Sequence, residues 1–358
     1  MKYLNSVITG TGCYIPTRVI ENSRFAKQVF FEKDHSVIDS PGEEVTRKFR
    51  DITGIYERRW VTKDLNNSDM AAIAAKAAIE DAGIDPETID QIIMAHNFGD
   101  VIKGSIQTDI VPSIASRVKH ILGIQNAECI PYDITFGCPG WIQGMIQANS
   151  FIQSGLAKRC LVIGSETLSR VVDTYDRDTM IFSDGAGAVI VEGIESDEKT
   201  GMLSSSFMSH TNEEAGYLYL GKSNSPEMDP EVRYIKMNGR KIYEYSLSRV
   251  PVAMKAALDK SGIPIEDVKK IIIHQANEKM DEAIVQRFYK LYQIRVDTAS
   301  IMPMNIQTLG NSSVATVPTL YDMILKGQIE NHKIQKNDIL IFASVGAGMN
   351  INAFVYKQ

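Results

Sequence analysis

The chain repeats itself. Residues 78–97 read AIEDAGIDPETIDQIIMAHN, and residues 257–277 read ALDKSGIPIEDVKKIIIHQAN. Each stretch is a helix end, a glycine, an acidic turn and a run of isoleucines. Gly83 pairs with Gly262 and Ile92 with Ile271, an offset of 179 residues, which is half of the 358-residue chain. A second pair keeps the offset. Residues 137–166 and 310–346 each open on a small-residue turn, continue as a helix ending near Gly155 or Gly327, and reach a strand in which Leu161 and Leu340 again differ by 179. Common α/β units resemble one another by chance, but two pairs at one offset point to duplication. The division falls in the polar, turn-rich stretch at 193–203, giving halves at 1–195 and 196–358.

Within each half strands alternate with helices, which predicts an α/β fold with buried sheets. Ser68 is a suitable N-cap for a helix whose apolar face holds Met70, Ile73, Ala74, Ala77 and Ala78, and Gly83 ends it. Residues 91–95 and 270–273 read as short strands, residues 184–193 as a tight turn feeding a strand, and residues 221–232 as a surface loop. A hydrophobic content of 44% supports a large core, and a net charge of −6 argues against a nucleic-acid binder. No secretory leader and no membrane-length apolar run is legible, so a cytoplasmic, non-membrane protein is expected. Cys13, Cys129, Cys138 and Cys160 show no metal spacing and read as free thiols.

Cys138 differs from the other three in its context, DITFGCPGW. A strand end is followed by Gly137, which permits a sharp turn, and by Pro139, which suits a first helical position. A thiol at a helix start is favoured as thiolate by the dipole, and backbone amides there face any oxyanion formed on an acyl group. A buried structural cysteine is the other reading of this residue. His274 ends the strand that repeats residues 91–95, where the first half has Ala95, and strand ends are where α/β sites form. Asn305, in MPMN after a short strand, lies just ahead of GNSSVAT, the segment that repeats the Cys138 turn; alone it reads as a turn former.

GCPG, HQAN and the N-x4-GNSS segment, in that order, resemble the Cys-His-Asn triad of the β-ketoacyl-acyl-carrier-protein synthase III family. GTGCYIP, TGIYERRW, VIGSET, DRDTMIFSDGAGA and SVGAGMN extend the similarity over nearly the whole chain. The resemblance implies a thiolase-like five-layered αβαβα fold of two duplicated halves, and a homodimer. It implies Cys138, His274 and Asn305 as the triad, with the amides of Cys138 and Ala347 as oxyanion hole. His274 Nε and the Asn305 amide would donate hydrogen bonds to a malonyl thioester carbonyl. Arg177, Asn277, Val111, Lys48 and Gly239 would contact substrate. No resident cofactor or metal is implied; the substrates would be acyl-CoA or acyl-ACP and malonyl-ACP, in fatty-acid initiation.

The sequence departs from the family at two positions before TGI, where Lys48 and Ile52 replace the Trp and Arg that hold the adenine end of coenzyme A. Residues 96–112 are longer than usual, and Val111 stands where many members have Phe. Arg233, Lys236, Arg240, Lys241, Arg249 and Lys279 offer a docking patch for an acidic carrier protein. Three other readings stay open: a same-fold enzyme of secondary metabolism (quinolone, resorcinol or polyketide type), a cysteine hydrolase, and a non-catalytic scaffold.

Overall fold

Side-chain alternation along the strands sets the layering. The computed structural model describes residues 2–105 and 107–358. One sheet contains β1 (Tyr3–Tyr14), β2 (Gln91–His96), β3 (Ile130–Thr135), β4 (Arg159–Thr167) and β5 (Asp184–Ser196), in the order β1-β5-β4-β2-β3. The other contains β6 (Gly201–Ser209), β7 (Val268–Ile273), β8 (Ile339–Gly346) and β9 (Asn350–Lys357), in the order β6-β9-β8-β7. The second order repeats the first without its edge strand. Residues 301–304, which should match β3, form no strand; a one-turn helix, Thr298–Ile301, precedes them.

Successive strand residues face opposite ways. Val162 of β4 and Phe342 of β8 point into a shared core with the helices α3 (Gly140–Gln153) and α6 (Thr316–Leu325). Their neighbours Leu161 and Ile163 face α1 (Asn67–Ala82) and α2 (Ile114–Leu122). Ile341 and Ala343 face α4 (Gly239–Ser261) and α5 (Glu278–Lys290). The result is helix, sheet, helix, sheet, helix: five layers, with α3 and α6 in the middle. Phe342 and Phe354 stack there at 4.5 Å, beside Trp141 and Tyr321. The two halves thus bury one continuous apolar layer between them.

The repeat is visible in the details. Gly83 and Gly262 both end helices in the left-handed conformation. The strand registers differ by one residue: Ile92 pairs with Leu161, but Ile271 pairs with Ile341 after an irregularity at Val268–Lys270.

Several local expectations are corrected. Asn66, not Ser68, caps α1; Asp69 completes the capping box, and Ser68 bonds to the buried Asp100. Ile73 is exposed, and the buried face is Met70, Ala71, Ala74, Ala75 and Ala78. That alanine face exists because α1 lies almost on β1: a Cβ on Gly10 or Gly12 would come within 2.3–2.4 Å of α1 carbonyl oxygens. Residues 184–193 are strand throughout. Helix α3 begins at Gly140, with Pro139 at its N-cap. The predicted surface loop at 221–232 buries Ser223, Asn224 and Ser225. No described helix is long and apolar enough to cross a membrane.

Candidate active site

Two glycine turns, one from each half, meet at a cavity of about 740 Å³. Gly137 has φ +70°, and a Cβ there would lie 2.7 Å from the Ala347 nitrogen, so only glycine fits. The turn presents Cys138 to the cavity at the head of α3. A Cβ on Gly346 would lie 2.5 Å from the Cys138 nitrogen, which places the Cys138 and Gly346–Ala347 backbones in close contact. Among the described residues, neither the Cys138 N–H nor the Ala347 N–H donates to another residue; the Cys138 N–H faces its own sulfur. Both remain available to an oxyanion.

The second turn brings the correction that matters most. Gly310 has φ +68° and packs on buried Arg58, and the residue after it, Asn311, lines the cavity with Cys138 and His274. Asn311 Oδ1 accepts the Ser313 N–H at 2.8 Å, so its amide NH2 is the group left for a ligand. Asn305 does not line the cavity. It is buried at the start of a one-turn helix, its N–H donates to Gln275, and its amide points to the Met323 sulfur at 3.5 Å. The repeat carried the missed signal: Gly310-Asn311 stands opposite Gly137-Cys138, with six residues fewer between the halves than the 179 found elsewhere.

His274 is buried, and burial pushes its imidazole down to about 3, so the ring is neutral. Its Nδ1 lies 2.6 Å from the Thr316 hydroxyl, which lies 3.0 Å from the Ser313 carbonyl. That hydroxyl has one hydrogen. Given to Ser313, it leaves Nδ1 as donor and a lone pair on Nε2; given to Nδ1, it leaves the hydrogen on Nε2. In the second arrangement Nε2 has a hydrogen to donate, the role expected from sequence; in the first it has a lone pair to accept one.

Burial also reverses the expectation for Cys138. Desolvation pushes the thiol up to about 11; the Ser313 hydroxyl, 3.3 Å from the sulfur, pulls it down, and nearby Glu166 adds to the rise. Desolvation is the largest of these influences on the sulfur, and it favours the neutral thiol. Desolvation pushes Glu166 itself up to about 7.

Around the cavity mouth stand Lys48, Ile52, Arg177, Gly239, Arg240 and Asn277. Lys48 pairs with Glu44 at 2.7 Å, Arg177 with Glu32 at 3.0 Å, and Arg240 with Glu244 at 2.9 Å. Asn277 also caps α5 through Met280 N–H. Val111 is 84% exposed and does not reach this cavity within the chain. Of the basic cluster, Arg240, Lys241, Arg249 and Lys279 are exposed on α4 and α5, as is Arg233 ahead of α4. Lys236 is not available: it is 2% exposed and held by Asp173, Asp176 and Asn224.

Comparison with known proteins identifies the family. Residues 132–211 match the family model for 3-oxoacyl-[acyl-carrier-protein] synthase III, and residues 258–358 match its C-terminal counterpart. The chain is 31% identical over 355 residues to the β-ketoacyl-[acyl-carrier-protein] synthase III of Staphylococcus haemolyticus, covering 99% of both. It is 33% identical over 351 residues to that of Staphylococcus saprophyticus, covering 98% of both. The crystal structure of the Aquifex aeolicus synthase III superposes with a TM-score of 0.79 at 29% identity, covering 99% of this chain and 100% of that one. Full-length similarity of this degree, on a five-layered duplicated fold, places the chain in the 3-oxoacyl-[acyl-carrier-protein] synthase III family of acyl-transferring condensing enzymes with the thiolase fold.

Proposed function

We propose that the chain transfers an acyl group to Cys138 and then condenses it with a malonyl thioester, giving a β-ketoacyl thioester in fatty-acid initiation. The observation that carries this reading is the convergence of Cys138, His274 and Asn311 on one cavity.

In the first step the Cys138 sulfur attacks the thioester carbonyl, and His274 Nε2 takes the thiol hydrogen. Desolvation disfavours both the thiolate and the imidazolium, which favours proton transfer together with attack. The Cys138 and Ala347 amides hold the tetrahedral oxyanion. Collapse expels the leaving thiolate, which takes the hydrogen from His274 and departs as a thiol.

In the second step the malonyl thioester carbonyl lies against the Asn311 amide and His274 Nε2–H. Loss of CO2 leaves its electron pair as an enolate that these two donors stabilise. The enolate carbon attacks the acyl carbonyl, the carbon–sulfur bond to Cys138 breaks, and the sulfur takes up a proton from water, the one proton the decarboxylative condensation consumes.

Arg240, Lys241, Arg249 and Lys279 form the docking face for an acidic acyl carrier protein, because they are exposed on α4 and α5, the helices that supply Arg240 and Met280 to the cavity lining. Exposed Ile102, Ile110 and Val111 fit a homodimer in which a second copy covers them. With no resident cofactor drawn into either step, the reaction runs in the cytoplasm on acyl-CoA or acyl-ACP. The test is product analysis with labelled malonyl thioester: a β-ketoacyl thioester supports the reading, and free acid alone supports hydrolysis.

A further inference from the structure

Behind Cys138, on the side away from substrate, the reaction leaves three polar groups unused. Asn97 follows β2, Glu166 lies in β4, and Ser313 lies in the turn before α6. Glu166 is fully buried, and its Oε2 accepts two bonds from Asn97: the backbone N–H at 2.8 Å and the amide Nδ2 at 2.6 Å. The same Nδ2 donates its second hydrogen to Ser313 Oγ at 3.0 Å. Ser313 Oγ stands 3.3 Å from the Cys138 sulfur.

The order of donors follows from atom inventories. Glu166 Oε2 accepts from both the backbone N–H and the Nδ2 of Asn97, and any proton on the carboxyl falls to the unpartnered Oε1, so Asn97 presents its NH2 face to Glu166 in either protonation state. The remaining amide hydrogen then occupies a lone pair of Ser313 Oγ. With an incoming hydrogen bond on that side, the serine hydrogen is directed toward the sulfur. An amide does not relay protons, so this chain orients and polarises and transfers nothing.

We propose that Asn97, fixed by the Glu166 carboxylate, is a positioning residue that locks the Ser313 hydroxyl as a standing hydrogen-bond donor to the Cys138 sulfur. The function is to favour negative charge on sulfur when the thiol attacks and when it is expelled at the end of condensation. It offsets two opposing influences, desolvation of the thiol and the nearby carboxylate. The titratable groups facing Glu166 are His96 on β2 and Asp184 on β5; those around the sulfur are Glu166 and, across the cavity, His274.

This inference rests on Cys138 being the nucleophile, so its test reads the thiol and not condensation. The rate of Cys138 alkylation by iodoacetamide is followed against pH by peptide mass mapping. Ser313→Ala should move the profile up by roughly one pH unit, the order one hydrogen bond to the charged form supplies. Asn97→Ala should move it up as well, and the double variant should match Ser313→Ala alone, because Asn97 acts through Ser313. Glu166→Gln keeps the oxygen that accepts from Asn97 and removes the charge, so its profile should move down. Generic loosening would move all variants the same way. An unchanged profile in Asn97→Ala, additive shifts in the double variant, or an unchanged or upward profile in Glu166→Gln overturns the proposal. Loss of condensation with a normal alkylation series would instead count against the condensing reaction.

Discussion

His274 Nδ1 and the Thr316 hydroxyl lie 2.6 Å apart, and Thr316 is itself 3.0 Å from the Ser313 carbonyl. The one hydroxyl hydrogen can go to only one of these two groups, and which it goes to sets whether His274 Nε2 carries a lone pair or a hydrogen. Thr316→Val removes that control and leaves Nδ1 buried without a partner. Both half-reactions should slow, by roughly ten- to a hundredfold given the penalty for an unpaired buried group. Thr316→Ser should restore them. Single-turnover rates of acylation and of malonyl-dependent decay check this.

Asn311→Ala should reduce condensation by about a hundred- to a thousandfold, the usual loss for one oxyanion donor, with acylation little changed. Asn305→Ala should leave condensation close to wild type, since its amide meets Met323 and not the cavity. Parallel measurement of the two half-reactions for both variants decides which asparagine acts.

Glu166 makes a signed prediction about stability. Its folded pKa, near 7, lies above the ordinary carboxylate value of 4.5. Stability from the protonated form is therefore fully present below about 4.5 and is lost as pH rises through 7. Glu166→Gln removes this dependence. The Tm of Glu166→Gln minus that of wild type should increase from pH 5 to pH 8, which thermal unfolding at several pH values will show.

Basic residues beside the mouth should separate into two classes. Lys241→Glu and Arg249→Glu, on exposed positions, should raise KM for carrier-bound substrate and leave kcat and small-thioester kinetics unchanged. Lys236→Met breaks a buried ion pair with Asp173 and Asp176 and should cost roughly 3–5 kcal/mol of stability. Kinetics with both substrate forms, together with melting curves, test the division.

The duplication, the strand–helix alternation and the Cys138 turn were legible because they depend on periodicity and glycine, which a chain displays directly; the five layers followed from the family resemblance. Residues 91–95 and 270–273 fall in strands, and Gly83 and Gly262 end helices, as their patterns require. Asn305 is misleading because it lies close to GNSS along the chain, whereas the residue-by-residue match of the two turns points to Asn311. The state of Cys138 was not legible either. A helix start can be read from sequence, but the desolvation of the sulfur depends on every element packed around it. Lys236 shows the same gap: its partners Asp173 and Asp176 lie about sixty residues away.

The most direct measurement of the central claim is the intact mass of the enzyme, first with an acyl thioester and then with added malonyl thioester. A single acyl increment that maps to Cys138, and then disappears with release of one CO2 per acyl group, is the expected result. No increment at Cys138, or its loss as free acid without CO2, would contradict the account.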